Sequence, residues 1–168
     1  MILDVLTRGD CERVRGWRNA DRKGLRTSYL LTERMQADFY DSVVSNREAS
    51  HRYFAIRFTD EKRPTLPFDL FDLAGMGGLT RIEWENGLAE LSLIVAPEAR
   101  GLGAGKEAVA LLLAEAFDTL RLQTVVAEVY ECNPVGVAFW DSFSRPYVTL
   151  PRRKWWEGQL WDSRLYWW

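Results

Sequence analysis

The chain has 168 residues, of which 47% are hydrophobic, and its 22 basic and 24 acidic side chains give a net charge of −2. This length and apolar content exclude a disordered chain and predict a single domain over residues 1–168. The near balance of charge argues against a general nucleic-acid binder, and Cys11, Cys132 and the single His51 are too few for a disulfide framework or a metal site.

The sequence contains no apolar run of membrane-spanning length, and its first residues lack the charged segment and apolar stretch of a signal peptide. We therefore expect a cytoplasmic protein that does not enter a membrane. With so few candidate ligands, no metal cofactor is expected.

The N-terminal part predicts one strand followed by two helices. Residues 2–6 alternate as a strand, and Asp10 is predicted to cap a helix that ends near Trp17. Thr32 is predicted to cap a second helix over residues 33–45, whose buried stripe would be formed by Met35, Phe39 and Val43.

The middle of the chain predicts three strands. They span residues 52–58, 74–84 and 90–95, and the last two are joined by the turn residues Asn86 and Gly87. Residues 60–72, with Pro64 and Pro67, are predicted to form a long loop, which we interpret as a connector rather than as a cover for a substrate site.

A glycine-rich segment follows the third of these strands and is the most informative part of the chain. Residues 95–106 read VAPEARGLGAGK, and Pro97 cannot continue the strand. From Ala104 onward the apolar residues follow helical spacing at Val109, Leu112, Leu113, Ala116, Phe117 and Leu120. Gly101, Gly103 and Gly105 therefore stand at the beginning of a long helix.

Such a helix beginning favours an anion, because glycines let the backbone approach a ligand and the first amide groups have no helical partner. Arg100 and Lys106 add positive charge, so the segment predicts a phosphate site. The alternative is a plain strand-to-helix turn.

Two other phosphate motifs fit less well. A P-loop requires glycine where Arg100 stands and a hydroxyl residue where Glu107 stands. A dinucleotide fingerprint fits residues 103–108, with Glu128 about twenty residues further on, but residues 97–100 separate it from its strand and the remaining chain is too short for that domain.

The pattern of Arg100, Gly103 and Gly105 resembles the acetyl-CoA loop of the GCN5-related N-acetyltransferase (GNAT) superfamily. The Val-x-Pro exit before it, the strand at residues 124–130, Asn133 and the aromatic Trp140 seven residues later also match that family. The resemblance covers roughly residues 88–143. It implies an α/β (α+β) fold with a mixed sheet of six to seven strands, splayed between strands 4 and 5 and flanked by about four helices.

The resemblance also implies acetyl-CoA as co-substrate and an acetyl transfer to a primary amine, such as a small amine, an amino sugar or a protein N-terminus. The implied cofactor-binding residues are Ile94, Val95, Arg100, Gly101, Leu102, Gly103, Ala104, Gly105, Lys106, Asn133 and Trp140. For Asn133, a helix N-cap ahead of Pro134 is an equally good interpretation.

A substrate ammonium must lose its proton before it attacks, and Glu90 is the first candidate base, with Glu83 and Glu128 as weaker ones. Each could instead be a solvated carboxylate on a strand face. Many relatives have a tyrosine acid where Trp140 stands, and an indole cannot protonate a thiolate. Either Tyr130 or a water is expected to take that role, or the thiolate leaves without an acid. An equally good interpretation makes Trp140 only a core residue of its helix.

The C-terminal segment is rich in aromatic residues, namely Trp155, Trp156, Trp161, Tyr166, Trp167 and Trp168. A hairpin with Glu157 and Gly158 as its turn, a wall of the acceptor site and a homodimer interface are all compatible with them. Two further functions stay open: a non-catalytic acyl-CoA-binding or assembly module, and a nucleic-acid-modifying relative that uses the basic run 152–154.

Overall fold

The structure, a computed structural model, describes residues 1–46, 48–59 and 72–168. The loop predicted at residues 60–72 lies outside the described residues except for Asp72. The elements follow in the order β1 (Ile2–Val5), α1 (Arg8–Ala20), α2 (Glu33–Phe39), β2 (Arg52–Arg57), β3 (Leu73–Glu83), β4 (Leu88–Val95), α3 (Ala104–Ala114), β5 (Thr124–Tyr130), α4 (Pro134–Asp141), β6 (Tyr147–Trp156) and β7 (Gln159–Trp167).

Seven strands form one mixed sheet in the order β1-β2-β3-β4-β5-β7-β6. Among the described strands, only β4 and β5 are parallel neighbours, and they pair over residues 88–90 and 124–126. Beyond these positions no pairing joins the two strands, although β4 continues to Val95 and β5 to Tyr130. The predicted mixed sheet, split between its fourth and fifth strands, is confirmed.

The first helix begins earlier and ends later than the sequence predicted. Thr7, not Asp10, is the N-cap: the amide of Asp10 donates to Thr7 Oγ1 at 3.1 Å and the amide of Thr7 donates to Asp10 Oδ2 at 2.9 Å. Asp10 is thus the third helical residue of a capping box. The helix continues past Trp17 because Asn19 pairs with both backbone groups of Leu31 at 2.8 and 2.9 Å.

The second helix has the predicted cap, and Phe39 of the predicted stripe packs against the core, whereas Met35 is exposed. Thr32 Oγ1 accepts from the amide of Met35 at 3.2 Å, as expected. The Met35 side chain is 44% exposed, however, and Gln36 is the buried residue. A π-type turn at Tyr40–Val44 continues α2 and adds a residue to the turn, so that Val44 packs against the core beneath the helix.

The sheet separates two layers of helices. Ile56 belongs to a cluster with Ala104 and Ala108 of α3, whereas its neighbour Ala55 belongs to a cluster with Val14 of α1. This division follows from the alternation of side chains along a strand. The core face of β5 packs against α3 and α4 through Val125, Ala127, Val109, Leu112 and Trp140.

The aromatic C-terminal segment forms the predicted hairpin. β6 and β7 pair antiparallel around Glu157 and Gly158, which both have positive φ angles of 49° and 78°. β7 lies between β5 and β6 in the sheet. Among helices built from the described residues, none combines the length and apolar character needed to cross a bilayer.

Candidate active site

A cleft of about 140 Å³ opens where β4 and β5 diverge. Its walls come from the end of α1, the loop after it, the end of β4 and the start of α4, and the lining residues are Trp17, Arg18, Asp21, Gly24, Leu25, Leu93, Ile94, Val95, Arg100 and Asn133. Four of the predicted cofactor-binding residues therefore meet here: Ile94, Val95, Arg100 and Asn133. A larger cavity of about 370 Å³ lies between α4 and β7, and no residue predicted for the site lines it.

The glycine-rich loop leads from this cleft into α3. Gly101 and Gly103 have φ angles of 77° and 81°, in the left-handed region, and a Cβ added to either would meet no atom within 4 Å. Gly103 is the N-cap and no side chain caps the helix. Its carbonyl accepts the amide of Glu107 at 3.2 Å, so the amides of residues 104–106 precede the first helical hydrogen bond.

These features fit a diphosphate, because free amides, the positive end of a helix and an open surface coincide. Arg100 Nε donates to the carbonyl of Val95 at 3.4 Å, which ties the loop to the end of β4. Gly105 has a different reason to be glycine: a Cβ there would lie 2.9 Å from Phe139 Cε2. Glycine at position 105 therefore allows α4 to pack against α3.

Asn133 is the N-cap of α4, as one of the two interpretations predicted. Its Oδ1 accepts from the amide of Gly136 at 3.1 Å, and Pro134 is the first helical residue. A Cβ on Gly24 would collide with Asn133 Nδ2. The loop after α1 therefore packs directly on the side chain that lines the cleft.

Two carboxylates, which we call the acid pair, lie side by side near the splay. Glu90 on β4 and Glu128 on β5 both contact Arg26 Nη2, from the loop after α1, and the distance to Glu128 Oε2 is 3.0 Å. The Glu90 side chain is 17% exposed and that of Glu128 is 5% exposed. Glu128 Oε1 also accepts from Ser163 Oγ at 2.6 Å.

Burial by itself raises the pKa of Glu128, but hydrogen bonds from Ser163 and Arg153 and the charge of Arg26 outweigh burial and hold the pKa below its ordinary value. Glu128 is therefore ionised at neutral pH and is a weak proton acceptor. Of the acid pair, Glu90 is the more accessible carboxylate.

Two further arginines reach the acid pair, one from the adjacent strand β3 and one from β6, beyond β7. Arg81 Nη1 of β3 lies 3.3 Å from Glu90 Oε2, and Arg153 Nε of β6 lies 3.2 Å from Glu128 Oε1. Sequence reasoning missed Arg26 and Arg81 entirely, since neither belongs to a motif. Arg153 was noticed only as part of a basic run, and its pairing depends on where β6 lies in the sheet.

Tyr130 is buried at the end of β5. Burial raises the pKa of its hydroxyl, Arg26 opposes this, and Glu128 and Glu90 add to it, so the phenol is protonated at neutral pH. Lys154 Nζ lies 5.0 Å from the centre of the Tyr130 ring and donates to the carbonyl of Leu25. Tyr53 lies on β2. Burial is the main cause that raises the pKa of its hydroxyl, and the negative charge of Glu90 raises it further.

The side chains of the remaining predicted residues lie outside the cleft and the acid pair. Glu83 is exposed at the end of β3 and accepts from Asn86 Nδ2 at 2.9 Å. Trp140 is buried and packs with the rings of Phe139, Phe143, Tyr166 and Trp168. Lys106 Nζ lies 5.8 Å from the centre of the Phe143 ring. Within the described ranges, no cluster of His, Cys, Asp or Glu could hold a metal ion.

Known structures share this architecture. Spermidine N-acetyltransferase from Vibrio cholerae, in complex with CoA and spermine, superposes with a TM-score of 0.81 at 20% identity, covering 98% of this chain and 92% of the other. A dodecameric form of the Vibrio cholerae enzyme gives 0.76 at 19% identity, covering 98% and 91% of the two chains. A variant of that enzyme gives 0.79 at 19% identity, covering 99% and 94%. These likenesses show the fold.

A comparison with curated protein sequences gave no match. The family model for an acetyltransferase (GNAT) domain, however, matches residues 12–137, which is most of the chain. The match includes the cleft, the glycine-rich loop and the acid pair. It confirms the resemblance seen in the sequence: the chain is an N-acetyltransferase that belongs to the GCN5-related N-acetyltransferase (GNAT) family.

Proposed function

We propose that this domain transfers the acetyl group of acetyl-CoA to a primary amine by direct attack, at the splay between β4 and β5. The observation that carries the proposal is the order of three features along the chain from β4 to α3: Glu90 of the acid pair, the cleft lined by Leu93, Ile94 and Val95, and the uncapped helix beginning at Gly103. A plain strand-to-helix turn would need neither an open cleft beside it nor buried carboxylates at its far end.

Acetyl-CoA supplies the activated acyl group as a thioester. The backbone of Ile94 and Val95 is proposed to bind the pantetheine arm, because the β4 edge that faces β5 is not covered by a described strand beyond Glu90. The amides of residues 101–106 are proposed to bind the diphosphate. Asn133 contributes to the cleft wall, and Trp140 supports α4 from the core.

Glu90 is proposed as the base that accepts the proton of the substrate ammonium, directly or through a water. The amine nitrogen then bonds to the acetyl carbon as the carbon–sulfur bond breaks. The backbone amide near Val95 is proposed to stabilise the negative charge on the acetyl oxygen. Tyr130, kept protonated by burial, is proposed to donate its proton to the leaving thiolate.

An amine acceptor is supported by the structural neighbour that binds CoA and spermine. The dodecameric neighbour supports self-association, for which a homodimer is the simplest proposal. We also propose a cytoplasmic location, which the free Cys11 and Cys132 support. A nucleic-acid substrate is not favoured, because Lys154 of the basic run is buried and the net charge of the chain is −2.

The test follows the release of free thiol from acetyl-CoA with a panel of primary amines. Glu90→Gln is expected to lower kcat by about 10²- to 10⁴-fold, the usual contribution of a general base. Tyr130→Phe is expected to lower kcat less, since a thiolate can leave without an acid. Glu83→Gln, which removes an exposed carboxylate outside the site, is the matched control.

Other outcomes would select the alternatives. Tight binding of acetyl-CoA without turnover of any amine would favour the non-catalytic module. A salt-sensitive complex with labelled single-stranded nucleic acid would favour the nucleic-acid-modifying relative. Unchanged turnover in Glu90→Gln would remove Glu90 from its proposed role.

A further inference from the structure

The acid pair is surrounded by more positive than negative charge. Its two carboxylates have three guanidinium groups within 3.3 Å, those of Arg26, Arg81 and Arg153. Among the described residues, this ion-paired cluster therefore has one formal positive charge in excess. An acceptor that carries only positive charges would therefore meet net positive charge at the acid pair.

Arg81 is held in place by an irregular strand. Its φ angle is 51°, and the pairing of β3 with β4 shifts between residues 80 and 83. The amide of Arg81 donates to His51 Nδ1 at 3.1 Å, and the amide of Ile82 donates to the carbonyl of Ser50 at 2.9 Å. A left-handed residue other than glycine costs about 1–3 kcal/mol and persists where the surroundings enforce it, often at functional sites.

The second arginine stands next to a similar irregularity. Arg152, immediately before Arg153, has a φ angle of 54°, and the pairing of β6 with β7 shifts between residues 150 and 154. The amide of Arg152 donates to Asp162 Oδ1 at 2.8 Å. A bulge bends its strand and changes the direction of the side chains beside it, and here the Arg153 side chain contacts Glu128. Two separate strand bulges thus bring one arginine to each carboxylate of the acid pair: Arg81 to Glu90 and Arg153 to Glu128.

Both arginines retain capacity for a ligand. Arg81 contacts Glu90 through Nη1 and Arg153 contacts Glu128 through Nε, while their side chains are 57% and 45% exposed. A guanidinium has five N–H groups in a planar fork that matches carboxylate and phosphate oxygens. Each side chain can therefore keep its ion pair and still bind an anion from solvent.

We propose that the acceptor is a small amine that carries its own anionic group, a carboxylate or a phosphate, and that Arg81 and Arg153 bind this group. Binding the anion directs the amine toward Glu90. The inference rests on the proposed function and differs from a polyamine acceptor such as the spermine bound to the structural neighbour. Arg81 and Arg153 determine specificity and take no part in proton transfer.

The first experiment compares matched acceptors in the thiol-release assay. The pairs are glucosamine 6-phosphate with glucosamine, and alanyl-alanine with its C-terminal amide; spermidine is the polycation. In at least one pair we expect the member that carries the anionic group to have a kcat/KM at least about tenfold above its partner without that group, which we call the neutral partner, as one charge-assisted hydrogen bond provides. Phosphate and carboxylate are distinguished by which pair shows the preference.

A binding measurement covers the case in which none of these amines turns over. The protein is saturated with CoA, so that the glycine-rich loop is filled, and glucosamine 6-phosphate and alanyl-alanine are titrated calorimetrically. Weakening of either complex in Arg81→Gln or Arg153→Gln supports the proposal. Preference for the neutral members or for spermidine overturns it, and so does the absence of both turnover preference and binding.

The variants separate specificity from folding. Arg153→Gln and Arg81→Gln are expected to raise the KM of the preferred anionic acceptor by about 10- to 100-fold while the KM of its neutral partner stays level or falls. A merely structural role would raise both KM values together. Arg121→Gln, which also replaces an arginine with a positive φ angle, is a control outside the cluster and outside both bulges.

Different outcomes would refute the proposed acceptor class and the proposed acetyl transfer. Turnover of neutral amines with no anion preference would leave the proposed acetyl transfer intact and refute only the acceptor class. Absence of acetyl-CoA binding would instead remove the proposed function itself.

Discussion

Individual charges in the site are held by specific partners, and Glu128 shows this most clearly. Its carboxylate is almost fully buried and contacts Ser163, Arg153 and Arg26. Because its pKa in the folded protein lies below the ordinary value of about 4.5, ionised Glu128 stabilises the fold. This contribution is complete above the pKa of the unfolded chain and is lost as pH falls through the lower pKa of the folded state.

Glu128→Gln tests that linkage. We expect the variant to be about 1–3 kcal/mol less stable at pH 7, since Arg26 and Arg153 lose a charged partner. Below pH 4.5 the gap between wild type and variant should close, because only the wild type takes up the proton at this position. Urea unfolding followed by tryptophan fluorescence from pH 3 to pH 7 measures both effects.

Glu83→Gln replaces an exposed carboxylate and should give a stability curve parallel to that of the wild type. If Glu128→Gln ran parallel to the wild type as well, the lowered pKa of Glu128 would be refuted.

At the scale of elements, the loop between α1 and α2 is fastened to three parts of the domain. Asn19 of α1 hydrogen-bonds to Leu31 at the end of the loop. Gly24 packs on Asn133, and Lys154 donates to the carbonyl of Leu25. The loop thereby connects α1, the start of α4 and β6. Since it also carries Arg26, its position determines the geometry of the acid pair.

Gly24→Ala is predicted to disturb this contact, because the new methyl group would collide with Asn133 Nδ2. Displacing Asn133 costs the N-cap of α4, about 1 kcal/mol, and should raise the KM for acetyl-CoA by moving the cleft wall. Denaturant unfolding and acetyl-CoA titration measure these two changes.

Gly16→Ala is the matched control in α1. A Cβ there meets no atom within 4 Å, and alanine is the better helix former by about 1 kcal/mol, so this variant should be more stable than the wild type. Equal effects of the two substitutions would contradict the proposed contact between Gly24 and Asn133.

The Lys154 anchor gives a further prediction at this scale. Lys154→Met keeps the apolar stem but loses the hydrogen bonds to the Leu25 carbonyl and to Ser28 Oγ, the latter at 3.3 Å. We expect a loss of about 1–3 kcal/mol in the free energy of unfolding, because the part-buried Leu25 carbonyl is left without its donor. Faster amide exchange of residues 22–28 than in wild type checks that the loop is released; unchanged exchange would show that Lys154 does not fasten it.

For the whole molecule, the cleft and the helix beginning are proposed to act as one binding surface for acetyl-CoA. A ligand selective for the native fold stabilises it by about 2.7 kcal/mol at a concentration of 100 Kd. For a domain of this size that corresponds to a rise of roughly 5–10 °C in Tm. Acetyl-CoA should produce such a shift in a melting curve.

Pantetheine, which lacks the diphosphate, is the control ligand and should raise the Tm much less at the same concentration. Equal shifts from both ligands would show that the glycine-rich loop does not bind the diphosphate.

Several elements were predictable because their signals are local. The β-branched run of β5 was predicted over residues 124–130, as the structure has it, and the turn at Glu157 and Gly158 was recognised from its residue types. The error at Asp10 arose from a competing local cap at Thr7, and the packing of Val44 in place of Val43 coincides with the π-type turn at Tyr40–Val44. Neither leaves a distinct mark in hydrophobic spacing.

The sequence by itself determined the family, the order of elements and the glycine-rich helix beginning, because periodicity, capping and turn chemistry act over a few neighbouring residues. Only the tertiary structure decided the acid pair and its arginines. Arg26 and Glu90 are 64 positions apart, and Arg26 and Glu128 are 102 apart. Their meeting depends on strand register, two bulges and the divergence of β4 from β5, which arise from pairing between distant segments and which no local pattern specifies.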